Sequence, residues 1–376
     1  MKNTIKIPLS RPYFDKEEID EVSAVLNSGW VAGQGPASNI FADQIASFTN
    51  AAHCIPVNNC TAGLHLALLA LGIGKGDEVI VSDYTYPATG HSVLYTGAKP
   101  IFCDVNLDTF NMNHKELPKL ITKKTKAIIV VHTFGNPANI NEISKFAKTH
   151  NLKLVEDCAC SLGSTFRGKH TGTFGDIASI SFHARKGITT GEGGAIITNN
   201  KKYFEMMKSY SCFGVQSAFD RSQENAISVP VFQNLGFNYK MSDINAAIGI
   251  AQLKKIEILS NKRNKLASLY RLGLKGLPIK PQIIEKNSFS VIQAFVCLVD
   301  NRDMLANFLM TKGIQTQIGT FSSCVQPVYN SNQECANSIK IFKDAIALPM
   351  YHEMSEQELD YVVACIREYF KNEKFK

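Results

Sequence analysis

The chain has 376 residues, 45% of them apolar, and a formal net charge of +7 from 40 Lys and Arg against 33 Asp and Glu. That length exceeds what one core usually holds, so a large domain and a smaller one are expected. No apolar run approaches the ~20 residues that cross a bilayer. Basic clusters such as Lys123-Lys124-Thr125-Lys126 are short and carry no interleaved aromatics, which argues against a nucleic-acid surface.

The N-terminus, Met1-Lys2-Asn3-Thr4-Ile5-Lys6, lacks the apolar stretch of a secretory signal. Ten cysteines are scattered along the chain, most in apolar contexts such as Phe102-Cys103 and Val296-Cys297-Leu298, where free buried thiols are expected. Cys158 and Cys160 have no second pair and no histidines at zinc-ligand spacing, so no metal site is expected. This usage suits a reducing cytoplasm.

From about residue 54 to 200, strand-like runs alternate with helical ones. The strand candidates are Ile55 to Val57, Glu78 to Ser82, Pro100 to Val105, Ala127 to His132, Leu152 to Glu156, Ala178 to Phe182 and Ala195 to Thr198. Their continuous Val and Ile content predicts burial on both faces, as in a mostly parallel sheet with helices on each side. Thr61 to Leu71 and Ile140 to His150 read as intervening helices. A single long helical pattern runs from Ser242 to about Tyr270. After Gly276-Leu277-Pro278, a strand at Ala294 to Val299 and a helix at Arg302 to Thr311 mark a smaller region. The expected division is an α/β large domain at 1–255, with the N-terminal segment and a connector helix, and a C-terminal α+β domain at 256–376.

The chemistry gathers at strand ends. The Ala178 to Phe182 run is followed by Lys186 and then by Gly191-Glu192-Gly193-Gly194, while the Leu152 to Val155 run ends in Glu156-Asp157. A lysine and an aspartate at the ends of neighbouring buried strands suit a pyridoxal phosphate site. Lys186 would hold the aldehyde as a Schiff base and later carry a proton, and Asp157 would keep the pyridine nitrogen protonated. Desolvation is expected to lower the lysine's pKa. Taken singly, Lys186 could be a surface lysine and Asp157 a turn cap.

Other motifs extend the site. Asn58-Asn59-Cys60-Thr61-Ala62-Gly63 opens a helix, so the amides of Thr61 and Ala62 with the Thr61 hydroxyl could cradle a phosphate; a plain threonine cap is the alternative. Tyr86 could stack on the cofactor ring, with Tyr84 as the competing candidate and core packing open to either. Ser181 could reach the phosphate, and Gly236-Phe237-Asn238-Tyr239-Lys240 offers an amide and a cation. His183 reads equally as structural or catalytic.

Together these residues resemble the DegT/DnrJ/StrS family of nucleotide-sugar aminotransferases. The likeness starts at Ser28-Gly29-Trp30-Val31-Ala32-Gly33-Gln34-Gly35-Pro36, runs through the Thr61, Tyr86 and Asp157 motifs and Ser181-Phe182-His183 with Lys186, and reaches Gly236 to Asp243. It implies the type I fold of pyridoxal-phosphate transferases and a homodimer with active sites between subunits, Asn238 reaching the partner's cofactor phosphate. Lysine at 186, where the family's dehydratases carry histidine, implies transamination. The implied substrates are an amino acid, L-glutamate, and a nucleotide-diphosphate-linked keto sugar, with wording closer to members that aminate C4.

Two departures stand out. Cys160 occupies a position where the family usually has glutamine or histidine near the cofactor's phenolic oxygen, and Cys324 one where many relatives have histidine. Two other activities fit the residues: a pyridoxal-phosphate lyase of sulfur amino acids using the loop thiol Cys212, and a cofactor-binding regulator without turnover.

Overall fold

In a computed structural model describing residues 5–215 and 230–373, the predicted apolar runs become one seven-stranded sheet. In chain order its strands are β1 (His53–Val57), β2 (Glu78–Ser82), β3 (Lys99–Cys103), β4 (Thr125–Val131), β5 (Lys153–Asp157), β6 (Ile177–Ser181) and β7 (Gly194–Thr198). Their spatial order is β1-β7-β6-β5-β4-β2-β3. The pairings from β6 through β5, β4 and β2 to β3 are parallel, whereas β7 runs antiparallel to both β6 and β1. The carboxyl ends of β1, β2, β4, β5 and β6 therefore share one edge, where ligands bind in open α/β sheets.

Helices cover both faces. Helix Cys60–Ala70 is buried at all but two of its positions and lies against β6 and β7. Two small contacts allow that approach. A Cβ on Gly63 would meet Ser179 Oγ at 2.3 Å, and one on Gly194 would meet the Cys60 amide nitrogen at 2.6 Å.

The long helical pattern beginning at Ser242 is two helices, Asp243–Lys254 and Ile256–Gly273, broken at Lys255. The reason is tertiary. Lys255 Nζ reaches Glu18 Oε1 at 2.9 Å and Asp15 Oδ1 at 2.5 Å, and Gln252 donates to Glu18 and to the Tyr13 carbonyl. Helical propensity along the run carries no sign of this joint.

A second core gathers Leu266, Tyr270, Phe295, Leu305, Ile346 and Ile366 around the antiparallel strands β8 (Ile279–Pro281), β9 (Phe295–Val299) and β10 (Ala345–Leu348). Ile7, from the stretch grouped by sequence with the large domain, packs in this second core because its amide and that of Lys6 donate to the Gly313 carbonyl. No helix among the described residues is long and apolar enough to cross a membrane.

Candidate active site

A cavity of about 780 Å³ opens at the shared strand edge, walled on its far side by Gln293, Gln317 to Thr320 and Leu348. Thr61, Ala62, Tyr86, Asp157, Ser181 and Lys186 all line it. Asn238 does not; within the chain its Oδ1 accepts a bond from Lys240 Nζ at 2.7 Å.

Asp157 ends β5. Because side chains alternate along a strand, it faces the cavity while its neighbour Glu156 faces away. Asp157 Oδ2 accepts from Thr89 Oγ1 at 2.8 Å, and Oδ1 from the Ala159 amide at 3.1 Å. Since Thr89 spends its proton on Asp157, the 2.9 Å contact between Thr85 and Thr89 must be donated by Thr85. Burial pushes the Asp157 carboxyl above its ordinary pKa, opposed by the Thr89 and Ala159 donors and the charge of Lys186.

Glu156 belongs to another network. It accepts from the amides of Gly172, Phe174 and Gly175 and from His132 Nε2 at 3.1 Å. The Ala138 amide donates to His132 Nδ1, which places the imidazole proton on Nε2.

Lys186 sits on a loop set by the β6–β7 hairpin. Phe182 and Ala184 donate to the Gly193 and Gly191 carbonyls, and the Lys186 amide closes a turn on His183. Gly191 takes φ +82°, a conformation other residues rarely adopt. From the C-terminal part of the chain, Gln293 Nε2 donates to the Arg185 carbonyl at 2.7 Å and Arg263 to the Lys186 carbonyl at 3.3 Å. Lys186 Nζ donates to Cys160 Sγ at 3.2 Å.

The expectation of a depressed lysine needs correction. Burial does act to lower the Lys186 amine, but Cys160, Cys60 and Asp157 outweigh it and leave the pKa above its ordinary value. The groups around the amine are acidic, so its charged form is held.

At the helix entrance the cap is Asn59, not Thr61. Asn59 Oδ1 accepts the Ala62 amide at 2.8 Å, so that amide, counted by sequence as an open phosphate donor, already has a partner. Thr61 keeps its place on the cavity wall. Ser181 also faces the cavity, its Oγ accepting the His183 amide at 3.3 Å. Of the two tyrosines, Tyr84 is fully buried, its oxygen accepting the Thr320 amide, whereas Tyr86 is 61% exposed and lines the cavity, its ring 6.1 Å from that of Phe321. His183 lines the cavity with Nδ1 accepting from the Arg185 amide and Nε2 3.8 Å from Glu192. Burial lowers its pKa.

Cys212, the thiol a lyase would need, is 2% exposed, bonded to Gln34 Oε1, and lies off the cavity. Cys160 is the cysteine that meets the lysine. Sequence reasoning missed that contact, and it missed Thr89, whose signal was a hydroxyl in the first turn after Tyr86-Pro87.

These residues fit pyridoxal phosphate. Asp157 is a buried carboxylate with no ion-pair partner within bonding distance among the described residues, suited to a protonated ring nitrogen. Lys186 brings an amine to the same cavity, and the start of helix Cys60–Ala70 brings a positive dipole end for a phosphate.

Comparison with known proteins agrees with this chemistry. Residues 12–367 match the DegT/DnrJ/EryC1/StrS aminotransferase family. The GDP-perosamine synthase of Escherichia coli O157:H7 is 33% identical over 370 residues, spanning 97% of this chain and 99% of its own. The spore coat polysaccharide biosynthesis protein SpsC of Bacillus subtilis is 31% identical over 380 residues, 97% of each chain. Among solved structures, the PLP form of a putative sugar aminotransferase from Streptococcus pneumoniae gives a TM-score of 0.90 at 26% identity, covering 97% of this chain and 99% of that one. Helicobacter pylori PseC, an aminotransferase involved in the biosynthesis of pseudoaminic acid, gives 0.89 at 26% identity, with 97% and 99% coverage.

Proposed function

Because the chain belongs to the DegT/DnrJ/EryC1/StrS aminotransferase family, whose enzymes use pyridoxal phosphate, we propose that it moves the amino group of L-glutamate onto a nucleotide-diphosphate-linked keto sugar, at C4. The observation that carries this reading is Lys186 and Asp157 facing one cavity of about 780 Å³, a volume in the range of ligand pockets. A sugar-aminating relative, by name a GDP-perosamine synthase, supports the substrate class.

When bound, the cofactor supplies an electron sink for the charge left on carbon as a proton departs. Asp157 would hold the ring nitrogen protonated, oriented by Thr89. Thr61, through its hydroxyl and amide, and Ser181 would take the phosphate at the positive end of the helix, and Tyr86 would lie against the ring. Lys186 Nζ would hold the cofactor's aldehyde, and the free amine would carry a proton from the donor's α-carbon to the cofactor carbon and, in the second half-reaction, from the cofactor carbon to the sugar carbon. Cys160 receives the Nζ hydrogen bond, which would help to orient the free amine.

The active unit in this reading is a homodimer, with Asn238 serving the site of the second copy. Support comes from the exposure of Val231, Phe232 and Leu235, just before Asn238 in the chain, with Leu235 87% exposed. Ten cysteines without a disulfide support a cytoplasmic setting.

The test is spectroscopic. Loaded protein should lose its visible cofactor absorbance on addition of L-glutamate and regain it with a nucleotide-linked 4-keto sugar. Indifference to glutamate sinks the proposal. Recovery only with 3-keto sugars overturns the C4 assignment alone.

A further inference from the structure

Outside the cavity lies a polar cluster that the proposed reaction does not use. Asp83, immediately after β2, is fully buried, with Cys324 at 5% and Cys335 at 2% exposure. One carboxylate oxygen of Asp83 and the two sulfurs all lie within 4.8 Å of one another. Asp83 Oδ2 accepts from Ser322 Oγ at 2.7 Å and Oδ1 from the Cys324 amide at 2.6 Å. Among the described residues no lysine, arginine or histidine pairs with this carboxylate. A buried carboxylate without a cation is costly.

A second observation marks the same place. The Ser323 hydroxyl, at 1% exposure, is buried without a hydrogen-bond partner, and the buried Ser338 hydroxyl is directed to the Asp83 carboxyl. Such groups are normally satisfied. A buried carboxylate oxygen, two sulfurs and a hydroxyl without a partner thus gather where Cys324 and Cys335 join the apolar core.

We infer that Asp83, Cys324 and Cys335 form a binding site for a zinc-class divalent cation. Tetrahedral zinc with Zn–S near 2.3 Å and Zn–O near 2.0–2.2 Å sets ligand atoms roughly 3.4–3.8 Å apart, a spacing compatible with three atoms that all lie within 4.8 Å of one another. Binding displaces both thiol protons to solvent, leaving two thiolates and one carboxylate around the dication. The fourth position goes to a neutral oxygen, and Ser322 Oγ, 3.5 Å from Cys324 Sγ, is at hand. Two sulfurs favour zinc over the harder magnesium and calcium.

A comparable grouping of His132, Glu156 and Cys158 does not qualify. It has one sulfur rather than two, Glu156 is held by His132 and three backbone amides, and both ring nitrogens of His132 are occupied, whereas Asp83 accepts a single amide and serine hydroxyls.

The site has a mechanical place in the fold. Phe321–Ser322 pairs with Tyr84–Thr85 beside Tyr86, Gly319 and Thr320 line the cavity, and Cys335 precedes helix Ala336–Asp344. A cation there would pin residues 320–335 against the end of β2.

Holoenzyme from zinc-supplemented growth should carry near one equivalent of zinc per chain by atomic spectrometry. Metal-free wild type titrated with cobalt(II) should develop a thiolate-to-cobalt charge-transfer band, read as a difference spectrum. Cys324→Ser and Cys335→Ser should each lose at least tenfold of the zinc and the band. Cys324→His, which supplies another ligand, should keep the zinc. Because the cobalt titration needs no variant, misfolding of a mutant does not shield the inference. Three results overturn it: zinc at background in wild type with no cobalt band, zinc retained in the double variant Cys324→Ser/Cys335→Ser, or a disulfide between these cysteines in freshly purified protein.

Discussion

Replacing Thr89 with valine keeps the shape of the side chain and removes the hydroxyl that donates to Asp157 Oδ2 at 2.8 Å. A hydrogen bond to a charged group contributes about 1.5–3 kcal/mol, and the Thr85 hydroxyl, left without its acceptor, adds about 1 kcal/mol. At roughly 2–4 °C per kcal/mol in domains of a few hundred residues, the charged-bond contribution alone corresponds to a fall in Tm of about 3–12 °C for cofactor-free protein at neutral pH. The sign with pH follows from Asp157. Its carboxyl is raised by burial, so its contribution to stability is full below the ordinary value of 3.8 and is lost as pH climbs through the raised folded value. Thr89→Val raises it further, so the deficit should be largest at neutral pH and shrink toward the Thr85 contribution on acidification. The assay is a thermal-melt series across pH, run in wild type and in an Asp157→Asn background. A Thr89→Val deficit equally large in both backgrounds, or flat with pH, would show that the hydroxyl does not act through the carboxylate.

Gly63→Ala should destabilise the chain by about 1–3 kcal/mol, because the new methyl meets Ser179 Oγ at 2.3 Å; urea midpoints should show Gly63→Ala/Ser179→Ala costing less than the sum of the single changes. Lys255→Met removes the cation of Glu18, a 3% exposed carboxylate, at a cost of about 3–5 kcal/mol, and Glu18→Gln in the same chain should recover part of it in chemical denaturation. Glu156 is subject to burial that would raise its pKa, but His132 and the backbone amides prevail and hold it below the ordinary value. It therefore contributes stability above pH ~4.5 that fades as pH falls through its folded value, and Glu156→Gln should flatten the acid limb of the stability curve while lowering its plateau.

The sheet was legible because its strands are short unbroken apolar runs, and burial on both faces leaves such runs few other homes. The antiparallel placement of β7 was not legible, since residue pattern carries no direction. Lys186 and Asp157 could be chosen from their strand ends, and period-two alternation explains why Asp157 rather than Glu156 meets the cavity. Alternation could not separate Tyr84 from Tyr86, two positions apart. The short strand Tyr84–Thr85 ends between them, and the helical turn beginning at Pro87 (φ −53°) directs Tyr86 to the cavity. Asn59 took the cap from Thr61 because two good capping residues stood within three positions, and only the backbone at Asn59 is extended (φ −167°). The break at Lys255 and the burial of Cys212 come from partners more than a hundred residues away, Glu18 and Gln34, which no local window contains.

The carbonyls of Arg185 and Lys186 hang from Gln293 and Arg263, side chains belonging to the opposite half of the molecule. The reactive amine is thus moored to both halves at once. If those halves rock to admit a bulky sugar, the amine must travel with the motion, so that entry of substrate and aim of the proton carrier obey a single lever.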